Sequence, residues 1–582
     1  MSGSSGSATR RNREARIHRV LEEYNPWWRD PEWYLKDEDV QAVEKSGIVP
    51  RVKYWAVKNW IKPVIEHEDQ WGIIVIRGPR RIGKTTLLKL LIREILKLGV
   101  EPGSIIYLSL DIEELRRALI RGEISLRGFL SKLITNRRSR YGKTFLFIDE
   151  ATFYMQWATA LKNLVDAHVV GPGVLVIVTG SYSLELSQAK RELEGRMGDI
   201  GERAGGQRFY YPLRFSEVLD SISEEVSRFL NESRHYGGRK SLRKLGFRLT
   251  VLEELATPGE TRVLEFFDDM KSSIGDVARS YFETLYIYTG GFPSAIYSVL
   301  SSPKRIVRDE HYTAFYELLV EDAKKFTIKV NGRSVRLSTA TLERVLRDVL
   351  SHRATFTTSL DKLQVEISRT TGGVRRLKRH EARAYLEYLL EGARVLLRLD
   401  PVRVVDRMTV HTLAAEPFKL VYLDPLVFNS VYWVSRGVRS GIYEAAKGLL
   451  GDTAGQPSDI FRQLYEAVVC SHVARVPSLK YGADTANYGV GVAKSDKGPV
   501  EYADCVAWYY DKRRRRQAIL AVEVNTSRRP KKSDFEEKAL CAQRELMGTR
   551  LIIATRDTVN LYEYGKGVEA VLVPASLLLL LI

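Results

Sequence analysis

Cysteine is scarce in this chain. Three occur among 582 residues, Cys470, Cys505 and Cys541, far apart and in no C-x-x-C pair. That spacing excludes a disulfide scaffold and a classical zinc module, and it fits a reducing, cytoplasmic setting. Long apolar runs are missing too. No stretch approaches the roughly 20 residues of a membrane helix. The leucine-rich tail from Leu577 to Ile582 suits a final strand or helix turn. The Ser/Gly start, Met1 to Ser7, lacks the apolar core of a signal peptide and reads as a linker. Acidic residues are outnumbered: 90 Lys and Arg against 72 Asp and Glu leave a net charge of +18. With 44% hydrophobic and 28% charged residues the balance is globular, and the length implies two to four domains.

The surplus of cations concentrates polyanions, of which nucleic acid is the commonest. An ion-pair-rich surface with extra arginine accounts for the same number, so charge alone leaves both readings open.

Five segments follow along the chain: a basic, aromatic, helical stretch over 1–65, an α/β core over 66–216, a charged insertion and helical region over 217–335, a three-helix, two-strand module over 336–440, and an α/β domain over 455–582. The first carries Asn25-Pro26-Trp27-Trp28, Trp33, Tyr34, Tyr54 and Trp55. Core packing of these rings is expected, with base stacking as the alternative. In the core, apolar runs at Ile73–Ile76, Ser104–Leu110, Thr144–Ile148 and Val174–Val178 alternate with helical stretches, which indicates a parallel sheet. In 336–440, helices are expected over 338–352, 358–368 and 375–392, then strands Arg394–Leu399 and Lys419–Leu423, a pattern that suits a winged helix.

The strongest motif is Gly78-Pro79-Arg80-Arg81-Ile82-Gly83-Lys84-Thr85, followed by Thr86. It satisfies G-x-x-x-x-G-K-[ST] between a strand and a helix, as a phosphate loop requires. Its backbone N–H groups and the helix N-terminus would cradle the phosphates of ATP, Lys84 would reach the β- and γ-phosphates, and Thr85 would ligate Mg²⁺. The apolar run Thr144 to Ile148 ends in Asp149-Glu150. There Asp149 would hold Mg²⁺ and Glu150 would polarise the attacking water. The run Val174 to Val178 ends in Thr179-Gly180-Ser181, either a γ-phosphate sensor or a capped turn.

Together Arg77 to Thr86, Asn25 to Trp28, Tyr107-Leu-Ser-Leu-Asp111, Gly180 to Leu184, Gly195-Arg196, Tyr211-Pro-Leu-Arg-Phe-Ser-Glu217, Gly290-Gly291-Phe292-Pro293 and Lys419-Leu-Val-Tyr-Leu-Asp-Pro425 resemble the archaeal and bacterial ATPases of the AAA_14/DUF4143 type, within the AAA+ and STAND-like P-loop group. The resemblance implies an ATPase core, a helical lid, a winged helix and a C-terminal nuclease-like domain. It implies that Pro293 packs near adenine and that Arg196 acts as an arginine finger or sensor, with Arg203 as the fallback. The insertion over 217–275 departs from the shorter family pattern.

Two basic clusters suit a phosphate backbone: Arg375, Arg376, Lys378, Arg379 and Arg383 on the third helix of the module, and Lys512-Arg513-Arg514-Arg515-Arg516 between two strands. A purely packing role for the helix, and a solvated turn for the second cluster, are the alternatives. In the last domain Glu466, Asp504 and Glu523 resemble a PD-(D/E)xK nuclease core, whose chemistry needs carboxylate-bound Mg²⁺ and a lysine. The lysine position holds Asn525, so the nuclease is expected to be vestigial, with Lys531 or Lys532 as distant replacements.

The expectation is a Mg²⁺-dependent ATPase that binds DNA, duplex or branched as at a Holliday junction, and that assembles as a homo-oligomer without membrane contact. A nucleotide-gated switch and an ATP-dependent nuclease are the alternatives.

Overall fold

A computed structural model describes residues 19–582 apart from 155, 181–191, 204–206, 233–240, 303–305, 331, 371–376, 414–416, 451–457, 482–484, 496–497, 513 and 528. The chain forms two compact units, Met1–Tyr211 and Pro212–Ile582.

The first unit is built on a five-stranded sheet. Its strands are β1 (Gly72–Arg77), β2 (Ile105–Ser109), β3 (Thr144–Asp149), β4 (Val174–Gly180) and β5 (Gln207–Phe209), in the order β2-β3-β4-β1-β5. Every pairing is parallel. A parallel sheet is covered on both faces, so its strands read as continuous apolar runs, and β1 to β4 are buried throughout. Helix α1 (Lys84–Lys97) buries Leu87, Leu88, Leu91 and Ile95, spaced for one helical face. Helices α2 (Trp157–Asp166) and α3 (Gly198–Arg203) follow β3 and β4 in the chain.

Most of the aromatic stretch packs, although Tyr54 is exposed. Trp27 and Trp28 both donate their indole N–H groups to the Ile105 carbonyl, at 3.1 and 2.7 Å. Asn25, fully buried, accepts from the Tyr107 N–H at 2.6 Å and donates to the carbonyls of Tyr107 and Leu21 at 2.9 and 2.7 Å. The outer edge of β2 is thereby closed by side chains instead of a sixth strand.

The second unit begins with helices α4 (Phe215–Ile222), α5 (Glu224–Glu232), α6 (Leu245–Leu255) and α7 (Arg262–Tyr281), then α8 (Pro293–Ser301) and α9 (Asp309–Ala323). A hairpin, β6 (Thr327–Val330) with β7 (Arg333–Arg336), follows where the sequence suggests continued helix. Next come α10 (Thr339–Val345), β8 (Thr355–Thr358), α11 (Leu360–Thr370), α12 (Arg379–Glu387), β9 (Leu396–Leu399), the hairpin β10 (Val402–Val404) and β11 (Val410–Thr412), and β12 (Phe418–Tyr422). Strands β8, β12 and β9 form an antiparallel sheet in the order β8-β12-β9. The sequence gives no sign of β8, because Thr355-Phe-Thr-Thr358 is short and sits against a helical pattern on both sides.

The last part has helix α13 (Asp459–Val473), strands β13 (Tyr488–Ser495), β14 (Gly498–Asp511) and β15 (Arg516–Asn525), helix α14 (Glu536–Glu545), and β16 (Leu551–Thr555), β17 (Asn560–Tyr564) and β18 (Val568–Pro574). Their order is β13-β14-β15-β16-β18-β17. The first three run antiparallel, while β15, β16 and β18 are parallel. The tail is helix α15 (Ala575–Leu581), buried on every side, which explains its unbroken leucines.

The inserted helices are fastened to this sheet. Tyr509 donates to Glu253 at 3.0 Å, the Arg550 N–H bonds the Ala256 carbonyl at 2.9 Å, and Arg279 pairs with Asp557 at 2.9 Å. Arg556 pairs with Glu283 at 2.8 Å just beyond α7.

Candidate nucleotide site and a second carboxylate cluster

The phosphate-loop motif leaves β1 and enters α1. Gly83 has φ 92°, a left-handed backbone that glycine adopts without penalty, and it turns the chain into the helix. The Lys84 ammonium lies back over the loop, donating to the carbonyls of Gly78 and Pro79 at 3.0 and 2.9 Å. Thr85 Oγ1 donates to Asp149 Oδ2 at 2.7 Å. A hydroxyl and a carboxylate one hydrogen bond apart, at the mouth of the loop, fit a hard divalent cation as a shared ligand pair.

Asp149 is held by four neutral donors. Besides Thr85 these are the Tyr107 hydroxyl at 2.8 Å, the Glu150 N–H at 3.0 Å and the Thr179 hydroxyl. β3 lies between β2 and β4, which is why residues of both neighbours, Tyr107 and Thr179, reach the same carboxylate. Burial and the nearby Asp149 charge push the Tyr107 phenol far above its ordinary range, so it stays a donor. Glu150 sits at φ 48°, a strained backbone for a residue with a side chain. The sequence marks Tyr107 only as part of a family-like strand. Thr179 was read as a sensor or a cap, and its hydroxyl is a third prop for Asp149. The rest of that segment, from Ser181 to Leu184, lies outside the described residues.

The structure does not bring Arg196 to the phosphate loop of its own chain. Arg196 pairs with Asp166, the last residue of α2, at 2.7 Å. The adjacent Met197 carbonyl accepts from the Ile73 N–H at 2.8 Å. Ile73 lies next to the start of β1 and the loop follows the strand's other end, so Arg196 lies at the opposite end of the strands. Arg203 is at that end too, bonded to Gln70 just before β1. Each arginine is thus engaged away from the phosphate loop of its own chain.

In the second unit three of the quoted segments meet in one buried junction. The Leu213 N–H donates to the Gly291 carbonyl, and the Gly291 and Leu426 N–H groups donate to Asp424, all at 2.8 Å. Arg475 donates to the Pro212 carbonyl at 2.8 Å. A Cβ on Gly291 would lie 2.0 Å from the Leu213 carbonyl oxygen, so only glycine fits. Burial pushes the Asp424 carboxyl up to about 7, against its two backbone bonds and Arg475. Pro293 is the first residue of α8, directly after this junction.

Of the first basic cluster, Arg375 and Arg376 lie outside the described residues. Lys378, Arg379 and Arg383 are exposed, with Arg379 paired to Asp361 at 3.2 Å and Arg383 to Glu387 at 2.9 Å. In the second cluster Lys512, Arg514, Arg515 and Arg516 are exposed at the β14–β15 turn, and Arg513 is outside the described residues. The β10–β11 turn lies against this one. Gln517 donates from its backbone to the Arg407 carbonyl at 2.9 Å and from its side chain to the Met408 carbonyl at 3.0 Å. Arg403 and Arg407, also exposed, thus join the same basic surface, a partnership that sequence distance conceals.

The C-terminal carboxylates do come together, but around a lysine. The Lys419 ammonium, on β12, is 2.5 Å from Glu466 and 2.6 Å from both Glu501 and Asp504. Asp504 also accepts from the Val524 N–H at 2.8 Å. Glu523 is bonded to Lys538 on α14. Burial and the Asp504 charge push Glu523 well up, and burial chiefly raises Glu466 to about 7. Lys531 and Lys532 are not the nearby cations. The Lys531 N–H bonds Asp534, and Lys532 sits 5.3 Å over the Tyr564 ring. Asn525 accepts from the Ser527 N–H at 2.9 Å, closing a local turn. Sequence reasoning missed Lys419, Glu501 and Lys538. A lone lysine inside the apolar run Phe418 to Tyr422, buried throughout, was the available signal.

Comparison with known proteins agrees with the first unit. Residues 70–219 match the AAA_14 family, described as an AAA domain. An uncharacterized protein of Haemophilus influenzae is 28% identical over 191 residues, 32% of this chain and 44% of that protein. The chain thus spans less than half the length of that curated relative. The Walker-type ATPase Paby2304 of Pyrococcus abyssi is similar at 12% identity and a TM-score of 0.34, over 65% of this chain and 95% of that one. The Aeropyrum pernix ORC1 protein, solved in complex with DNA, is similar at 12% identity and a TM-score of 0.27, over 67% of this chain and 91% of that one. The parallel sheet and the phosphate loop give the first unit the form of a nucleotide-binding P-loop domain, and residues 70–219 are similar to the AAA domain of that family. Among the described residues no helix is long and apolar enough to cross a membrane.

Proposed function

We propose that this protein is a Mg²⁺-dependent ATPase that binds DNA, duplex or branched, through its second unit and uses the nucleotide cycle to hold or move along it. The observation that carries the chemistry is the four-donor cradle of Asp149, one hydrogen bond from Thr85 at the end of the phosphate loop. Thr85 and Asp149 would hold Mg²⁺, which would supply charge neutralisation at the β- and γ-phosphates. Lys84 exchanges its two loop carbonyls for phosphate oxygens, and Glu150 orients the attacking water. The backbone N–H groups from Gly78 to Thr86 would surround the phosphates. Arg196, at the far end of its own strands, serves as a finger only toward a neighbouring copy in an oligomer.

DNA binding is supported by the convergence of two basic turns, with Arg403 and Arg407 on one and Lys512, Arg514, Arg515 and Arg516 on the other. Their backbones are pinned together through Gln517. The order helix, strand, two helices, strand, hairpin, strand from α10 to β12, with the β8-β12-β9 sheet, fits a winged helix whose hairpin is β10–β11. The antiparallel β13-β14-β15 meander, helix α14 and parallel β16 fit a nuclease-like sheet, kept for binding. The test is ATPase turnover with no DNA and with duplex, single-stranded and four-way DNA at several salt concentrations. Stimulation that falls steeply with salt supports the reading. Turnover indifferent to every DNA removes it and favours a nucleotide-gated switch.

A further inference from the structure

Lys419 occupies the centre of the β8-β12-β9 sheet, with a side chain only 4% exposed. An ammonium has three N–H donors and no acceptor, and here each finds a carboxylate: Glu466 from α13, and Glu501 and Asp504 from β14. The threonines of β8 join the same acids. Thr355 donates to Glu466 at 2.7 Å and Thr357 to Glu501 at 3.1 Å. Glu523, 7% exposed, has one carboxylate oxygen on Lys538 and the other, Oε2, buried without a hydrogen-bond partner. Burial opposes charge on Lys419, yet the three carboxylates hold its ammonium well above the ordinary lysine range.

A divalent metal bound by a nuclease-like sheet would use these same oxygens. It cannot share them with an ammonium at 2.5–2.6 Å, since two positive charges would then sit within one coordination sphere. The residues present therefore do not fit the metal that the fold implies.

We propose that the Lys419 ammonium is the resident cation of this cluster, taking the place of a divalent metal and latching the β8-β12-β9 sheet onto the C-terminal sheet. This rests on the nuclease-like reading of that sheet, and it explains how such a sheet binds without cutting. Breaking the latch opens a cation site that the intact chain masks.

The test uses the full chain without nucleotide, titrated with Mn²⁺ and followed by spin resonance of free Mn²⁺ and by thermal unfolding. The wild type takes up no Mn²⁺ at the cluster. Lys419→Met unfolds about 10 °C lower without metal, because a buried carboxylate group has lost its counter-charge. It then binds one Mn²⁺ at least tenfold more tightly than the wild type and regains part of its melting temperature. Should Lys419→Met not fold, the neutralised set Lys419→Met/Glu466→Gln/Glu501→Gln/Asp504→Asn is compared with Glu466→Gln/Glu501→Gln/Asp504→Asn alone. The latch requires the quadruple variant to melt higher, since the triple variant strands Lys419 as a buried charge without any of its three carboxylates. Wild-type Mn²⁺ uptake that Glu466→Gln/Glu501→Gln/Asp504→Asn abolishes, a folded Lys419→Met that takes no Mn²⁺, or a quadruple variant no more stable than the triple, each overturns the proposal. DNA stimulation of the wild-type ATPase is read without Lys419 variants, so the two readings fail separately.

Discussion

Asn25→Ala is expected to damage both the stability and the metal affinity of the first unit, although Asn25 sits 82 residues from Tyr107 in sequence. The side chain makes three hydrogen bonds at zero exposure, at 2.6, 2.7 and 2.9 Å. Alanine strands the Tyr107 N–H and the carbonyls of Tyr107 and Leu21, and each buried orphan costs about 1–3 kcal/mol. The expected loss is therefore at least ~3 kcal/mol, and about 2–4 °C per kcal/mol in a unit of this size makes it roughly 6–12 °C. Calorimetry of the full chain with and without Mg-ATP identifies the transition that nucleotide raises, and that transition should shift. Asn25→Asp sharpens the test. It keeps the acceptor for the Tyr107 N–H but turns an oxygen toward two carbonyls, so it should be as damaging as alanine despite its near-identical shape. Because the Tyr107 hydroxyl holds Asp149 at 2.8 Å, both variants should also raise the Mg²⁺ concentration needed for half-maximal turnover. An Asn25→Asp protein with wild-type stability and Mg²⁺ requirement refutes the chain of contacts from Asn25 through Tyr107 to Asp149.

Glu150→Gln should leave ATP affinity within about twofold and lower turnover by roughly 10²–10⁴, read by nucleotide binding and phosphate release. Gly291→Ala should cost at least ~3 kcal/mol, because its Cβ would overlap the Leu213 carbonyl 2.0 Å away; a neutral effect on denaturant midpoint would contradict the close packing of that junction. Asp424 keeps its proton up to about 7 when folded and releases it near the ordinary value of 3.8 when unfolded. Between those values the folded state binds the extra proton, so stability is full below pH 4 and falls as pH rises to 7, by roughly 4 kcal/mol. Glu466, raised to about 7 as well, adds slope in the same window, so Asp424→Asn should flatten the pH dependence of melting by about one proton's share without abolishing it. Replacing Lys512, Arg514, Arg515 and Arg516 by glutamine should weaken DNA binding and reduce the slope of log affinity against log salt by about 3–4, the count of lost phosphate contacts.

The parts of this molecule that a single sequence discloses are those whose physics is local. A phosphate loop needs its glycines, lysine and threonine within eight residues, and an apolar run ending in two carboxylates is readable at Asp149-Glu150 without a partner in view. The sheet strands of the first unit are legible for the same reason, being continuous apolar runs. What stayed hidden depends on pairing across the chain. Tyr107 gives no sign that its hydroxyl will prop Asp149, because only the order β2-β3-β4 brings it there. Arg196 follows a glycine in a family-like segment, and nothing local reveals that its segment packs by the start of β1 rather than its end. Lys419 stood inside a quoted motif and was read as strand, although a lysine in an otherwise apolar strand demands a buried counter-charge. The converse inference was open from Asn525: a nuclease-like sheet without its lysine needs another cation, and two were supplied from elsewhere, Lys419 from β12 and Lys538 from α14.

Asp149 and Asp504 are both buried aspartates in strands, and their donors distinguish them. Asp149 is propped by three hydroxyls and one backbone N–H. Neutral donors orient a carboxylate and leave its negative charge uncancelled, so the site attracts a cation and already points its oxygens at Thr85. Asp504 accepts one backbone N–H and an ammonium that two further carboxylates share. Burial opposes its charge, and Lys419 more than reverses that, holding the carboxyl below its ordinary range. The same residue type, equally buried, is poised for metal in one place and neutralised by a permanent covalent cation in the other. Carboxylates alone are therefore poor evidence for a metal site. The charge of the donors around them decides: neutral donors leave Asp149 open to a cation, while Lys419 already occupies Asp504.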